Sequence, residues 1–136
     1  MNAPPYAVAA VMSSGDLERF YSGLSVLVSR ASDGVRCAAL GSYSALGLLL
    51  DEDLLHRASE PDATPSLSWA GRDTFARSLL ELRDTALGLE GLDVYACSAA
   101  VETMSLTAAD VEQRLSGVMS TPRFLREVAG AELLFI

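Results

Sequence analysis

Short apolar runs alternating with amphipathic stretches predict an α/β fold: a single doubly wound domain with a five-stranded, mostly parallel sheet and helices on both faces. Three observations carry that prediction. Tyr6 to Met12 (YAVAAVM) is apolar throughout, as a strand buried on both faces requires, and such strands belong to parallel sheets. Leu17, Phe20, Tyr21, Leu24, Leu27 and Val28 then recur at helical spacing. The alternation continues to the end of a chain of 136 residues, the size of one core.

Met1-Asn2-Ala3-Pro4-Pro5 reads as a loose leader to a domain spanning residues 6–136. After the first strand, Ser14 or Asp16 caps the first helix, and Asp33-Gly34 ends it. Val35 to Leu40 is the second strand, and Gly41-Ser42-Tyr43-Ser44 turns into a short helix through Leu50. The polar, proline-containing stretch 51–68 (DEDLLHRASEPDATPSLS) reads as a surface excursion. A long helix from Trp69 to Leu87 offers Phe75, Leu79, Leu80 and Leu82 to the core, and Gly88 to Gly91 ends it. Leu92 to Cys97 is the third strand, with a short helix expected over Ala99 to Met104. Thr107-Ala108-Ala109-Asp110 opens a helix with a Thr cap and an acid three residues on. Leu115 to Met119 suits a short strand. Thr121-Pro122 suits a helix start with Thr121 as the cap, and Glu132 to Ile136 a closing strand.

The chain carries a formal charge of −8 and no lysine, its ten basic residues all being arginine. Its pI near 4.5 argues against nucleic acid and anionic membranes, which need a positive patch. The longest apolar run, Ala45 to Leu50, is far shorter than the roughly 20 residues of a membrane span. No basic region precedes an apolar stretch at the start, so a cytoplasmic location is expected, with both cysteines as thiols.

Cys97 is the candidate reactive residue. It ends a predicted strand, and functional groups in open parallel sheets gather at the carboxyl ends of strands. A helix start just after it, reached by a turn through Ser98, would lower the thiol pKa. The competing reading is a packed apolar thiol, since free cysteine is among the most buried residue types. Cys37 lies inside a strand and reads as core. No CxxC or Cys/His cluster exists, so no metal site and no cofactor are expected. His56, the single histidine, reads as a solvated loop residue.

Ser14 and Gly15 sit in a strand-to-helix loop whose amides suit a phosphate, although the loop matches neither GxGxxG nor a P-loop, and Asp16 opposes an anion. A capped helix start is the alternative. Tyr43, Leu46, Leu48 and Met104 fall at the same sheet edge as Cys97, where they line an apolar pocket, an oligomer contact or ordinary core.

Three stretches resemble the DsrE/DsrF-like (DsrEFH) superfamily of small sulfur-relay proteins: the opening strand with Ser13-Ser14-Gly15-Asp16, the segment Tyr43-Ser44-Ala45-Leu46-Gly47-Leu48-Leu49-Leu50, and Tyr95-Ala96-Cys97-Ser98 followed by Met104-Ser105-Leu106 and Asp110-Val111. Ser44 and Ala45 stand where that family has bulky residues, and Ser105 where it has glycine. The resemblance implies a flavodoxin-like sheet and a sulfane-sulfur carrier or sulfurtransferase in which Cys97 forms a persulfide. Ser14, Gly15, Tyr43, Gly47, Ser98 and Met104 would be its binding residues. It also implies a protein sulfur donor and acceptor, and assembly as a homo-oligomer (dimer or trimer) or hetero-oligomer. A non-enzymatic oligomeric ligand- or protein-binding module with a structural Cys97, and a thiol peroxidase-like protein, are the alternatives.

Overall fold

A computed structural model describes residues 5–136; of the expected leader, Met1 to Pro4 lie outside the described residues and Pro5 is exposed. The elements run β1 (Val8–Met12), α1 (Leu17–Ser32), β2 (Cys37–Gly41), α2 (Tyr43–Leu50), α3 (Leu54–Ser59), α4 (Trp69–Gly88), β3 (Leu92–Cys97), α5 (Ser98–Thr103), α6 (Ala108–Glu112), β4 (Gly117–Met119), α7 (Thr121–Glu127) and β5 (Glu132–Phe135). The five strands form one sheet in the order β4-β3-β2-β1-β5, and every pairing is parallel. The fold is therefore the single doubly wound α/β domain that the alternation predicts. No helix among the described residues is long and apolar enough to cross a membrane.

The strand order dictates which face each connection covers. From β1 to β4 the chain steps one strand at a time in a single direction, so right-handed crossovers put α1, α4 and the α5–α6 segment on one face. The return from β4 to the far side of β1 runs the other way, which puts α7 on the opposite face. Side chains follow suit. Gly23 of α1 comes so close to the sheet that a Cβ there would lie 2.8 Å from Ile136 Cδ1 and 3.3 Å from Met12 Cε. On the other face Ala9, Ala38 and Leu40 are buried, as are Phe124 and Val128 from α7 and its C-cap. α1 and α4 pack side by side, with the Tyr21 and Phe75 rings 5.5 Å apart.

Local chemistry sets the helix ends. Asp16 caps α1, its Oδ2 accepting from the Arg19 amide at 3.0 Å, and Ser14 does not. At α6 the capping box closes in both directions, between Thr107 Oγ1 and the Asp110 amide and between Asp110 Oδ2 and the Thr107 amide. The cap of α7 is Ser120, which moves Thr121 into the first turn and corrects the expected Thr121 cap. Both hydroxyls precede the proline, so the sequence supplies two candidates for one position.

The stretch 51–68 is also more than a surface excursion. It contains α3, whose Leu54 and Ala58, one turn apart, are fully buried where the helix packs on α4. Six residues hold only that one apolar pair, too little periodicity to stand out between an acidic run and Pro61. His56 is accordingly helical, though solvated: it is 82% exposed and faces Glu60 at 3.2 Å.

Arg83 of α4 is the largest fully buried side chain. Its Nη1 donates to the carbonyls of Leu48, at 3.0 Å, and Asp51, and its Nε to Asp84 Oδ1 at 3.2 Å. It is thereby a second donor to the Leu48 carbonyl, which also accepts from the Asp51 amide at the C-cap of α2, and it ties the end of α2 to α4.

Candidate functional site

Cys97 is the last residue of β3 and the N-cap of α5, as its place in the sequence suggested. The chain leaving β3 stays on the α1/α4 face, whereas the chain leaving β4 passes to the other face as α7. Neighbouring strands whose connections part in this way open a crevice at their carboxyl ends, where open α/β sheets place their ligands. Cys97 and Met119 are register partners at the ends of β3 and β4. Thr121, two residues on from Met119, brings its Oγ1 to 3.8 Å from Cys97 Sγ. Cys97 is 5% exposed, so its side chain is buried at this strand end.

Cys37 differs in every respect. It is fully buried at the amino end of β2, in register with Leu92. Burial pushes its thiol pKa up, against a smaller opposing pull from Arg30. Five residue-to-residue steps of strand separate Leu92 from Cys97, about 16 Å at the rise of a parallel strand. The two free thiols are therefore too far apart for a disulfide within one copy.

The proposed binding residues divide into groups. Gly15 and Gly47 line one concavity of about 460 Å³, together with Ser44, Leu48, Asp51 and Arg57. A Cβ on Gly15 would lie 2.8 Å from Ser44 Cβ, so only a bare backbone lets the β1–α1 loop come this near α2. Met104, just past α5, reaches the same area: its Cε is 3.9 Å from where a Gly47 Cβ would sit. Tyr43 is 47% exposed at the first position of α2, with φ +45°, a left-handed backbone that a tyrosine adopts only under constraint from its surroundings. Ser98 is half-buried beside Cys97 as the first residue of α5.

Ser14 serves the loop itself and neither caps the helix nor leaves its amide free for an anion. The amides of Ser13 and Ser14 both donate to the Ile136 carbonyl, at 2.8 and 3.3 Å, and that of Asp16 donates to Ser14 Oγ at 3.1 Å. Of the four amides in the loop, only that of Gly15 has no partner among the described residues. At the rim of the concavity Asp51 pairs with Arg57. Partial burial raises the Asp51 pKa, but the hydrogen bonds from Arg57 and from the Asp53 amide outweigh it and hold the carboxyl below its ordinary value.

Thr121 is the site residue that sequence reasoning misses. It reads locally as a helix cap, and its approach to Cys97 follows from the strand order, which no local pattern records. No protein-family model matches the chain, and no curated protein matches it.

Proposed function

We propose that the protein is a small sulfane-sulfur carrier, a sulfurtransferase of the DsrE/DsrF-like kind, with Cys97 as the persulfide-forming thiol and a reducing, cytoplasmic setting. The observation that carries the reading is the place of Cys97: the carboxyl end of an interior parallel strand, where the connections leaving two neighbouring strands part, with the Thr121 hydroxyl beside the sulfur. The Cys97 thiolate attacks the terminal sulfur of a donor persulfide R–S–SH. A new S–S bond forms, the donor S–S bond breaks, and the donor leaves as its thiolate. An acceptor thiolate then attacks the outer sulfur, and Cys97 departs as the thiolate. No net oxidant or reductant is consumed, so one cysteine suffices and histidine is not needed. The persulfide carries its reactive atom about 2 Å beyond Sγ. Donor and acceptor are cysteines of partner proteins in this reading.

Intact-mass measurement after incubation with a persulfide donor tests it. The wild type and Cys37→Ser gain one sulfur atom; Cys97→Ser does not. No gain on the wild type, or an equal gain on Cys97→Ser, overturns it. The 5% exposure of Cys97 favours a second reading, an interaction module in which this thiol only packs. That module takes up no sulfur in the same experiment.

A further inference from the structure

We infer that the free edge of β5 docks a second copy of this chain, giving a two-fold dimer with one sheet running through both copies. β5 is the outermost strand on the β1 side. The amides of Glu132 and Ile136 turn inward, to the carbonyls of Ala7 and Val11, each at 2.9 Å. Strand alternation therefore aims the N–H and C=O groups of Leu133 and Phe135 outward. Edges are ordinarily blunted by shortness, charge, proline or a bulge; Glu132–Phe135 has no lysine or proline, and its four residues carry one charge, that of Glu132. Phe135 is instead 72% exposed and Leu133 36% exposed on the α7 face. On the α1 face Gly23, Val26, Leu134 and Ile136 line a groove of about 430 Å³ along the same edge, with both Glu18 and Arg19 also in its lining.

These features are self-complementary under a two-fold axis through Leu134. Antiparallel pairing sets Leu133 opposite the second copy's Phe135, and each such pair exchanges two main-chain hydrogen bonds while the two apolar side chains meet. Leu134 faces its own copy across the axis. Glu132 falls opposite the second copy's Ile136. Because Glu132 shares a face with Leu134 and Ile136, its carboxylate lands in the second copy's groove, beside Arg19. Arg19 and Glu132 are both exposed, and neither has an ion-pair partner among the described residues. The symmetry makes this charge match twice, with both members supplied by one sequence, and for that reason the occupant is a second copy. Closure about a two-fold also consumes both edges and stops further growth. The surface is on the opposite side of the sheet from β3 and β4 and does not depend on the chemistry of Cys97.

Sedimentation velocity of the full chain over about 1–100 µM tests the dimer. The wild type sediments as a dimer. Arg19→Glu and Glu132→Arg each weaken it roughly tenfold, because two attractive pairs become repulsive. The Arg19→Glu/Glu132→Arg double variant restores wild-type affinity, which a misfolded protein does not do. A wild type that stays monomeric at the highest concentration, a dimer indifferent to both reversals, a double variant no tighter than the singles, or assembly beyond two copies overturns the proposal.

Discussion

At the amino end of the sheet, Tyr6 donates its phenol proton to Asp93 Oδ2 at 2.6 Å, and the Arg36 guanidinium lies 4.8 Å from its ring centroid while bonding the same carboxylate oxygen at 2.9 Å. Burial, then the hydrogen bonds to Asp93 and Tyr95, push the phenol pKa far above its ordinary value. The unfolded phenol ionises near pH 10. Above that value the folded state holds a proton that the unfolded state has lost, so stability is fully present below about pH 10 and falls as pH rises beyond it. Urea unfolding at steps between about pH 9 and 11 should show this decline in the wild type and a shallower one in Tyr6→Phe. Parallel pH profiles for the two proteins would place the alkaline sensitivity elsewhere. Single residues of this kind are poorly legible in sequence. Tyr6 reads as one more apolar position of a strand, and Asp93 and Arg36 find it only after the chain has folded. Arg83 likewise occupies the stripe Ala76, Leu79, Arg83, Ala86, where periodicity alone expects an apolar side chain.

Elements are far more legible, because what defines them is local. The run that becomes β1 is apolar enough to announce double burial, and the Thr107–Asp110 capping box needs no tertiary information. What escapes is whatever depends on a neighbour, such as α3, which exists because α4 covers Leu54 and Ala58. β5 shows the same effect in reverse. ELLFI reads as a closing strand without saying where in the sheet it lies, and its position at the sheet's end leaves Phe135 in the open. Gly41, at the end of β2, is another packing fact hidden in a turn-like sequence: a Cβ there would lie 2.6 Å from Leu49 Cδ1, and Leu49 is itself fully buried. Gly41→Val should therefore destabilise the fold by about 1–3 kcal/mol in urea, as overpacking does. Gly88→Ala, in α4 with no atom within 4 Å of the added Cβ, should stabilise it by about 0.5–1 kcal/mol. Equal effects of the two substitutions would mean that α2 is not seated tightly on β2.

Over the whole molecule, stability is distributed unevenly, and the two thiols sample its extremes. Cys37 sits in β2, which is paired on both sides and enclosed by the one continuous core, and its Sγ points back to the Val35 carbonyl at 3.4 Å. No small motion uncovers it, so a reagent reaches Cys37 only when the domain unfolds as a unit. Cys97 belongs to the same core but at its margin. Its neighbour β4 has three residues, and among the described residues the side-chain partner of its sulfur is Thr121 at the start of a seven-residue helix. Parting α7 from the end of β3 exposes this sulfur while the β3-β2-β1 pairing stays intact. Single-cysteine variants separate the two routes. With Cys37→Ser, native-state alkylation of Cys97 should run at least about tenfold faster than that of Cys37 in Cys97→Ser, and should rise little with urea, because a local opening exposes little surface. Alkylation of Cys37 should instead climb with the urea dependence of global unfolding. The raised pKa of Cys37 also slows its reaction, so the urea dependence is the deciding readout. If both thiols follow global unfolding, no donor reaches Cys97 in the folded protein, and the crevice between β3 and β4 is a packed seam with no access to the sulfur.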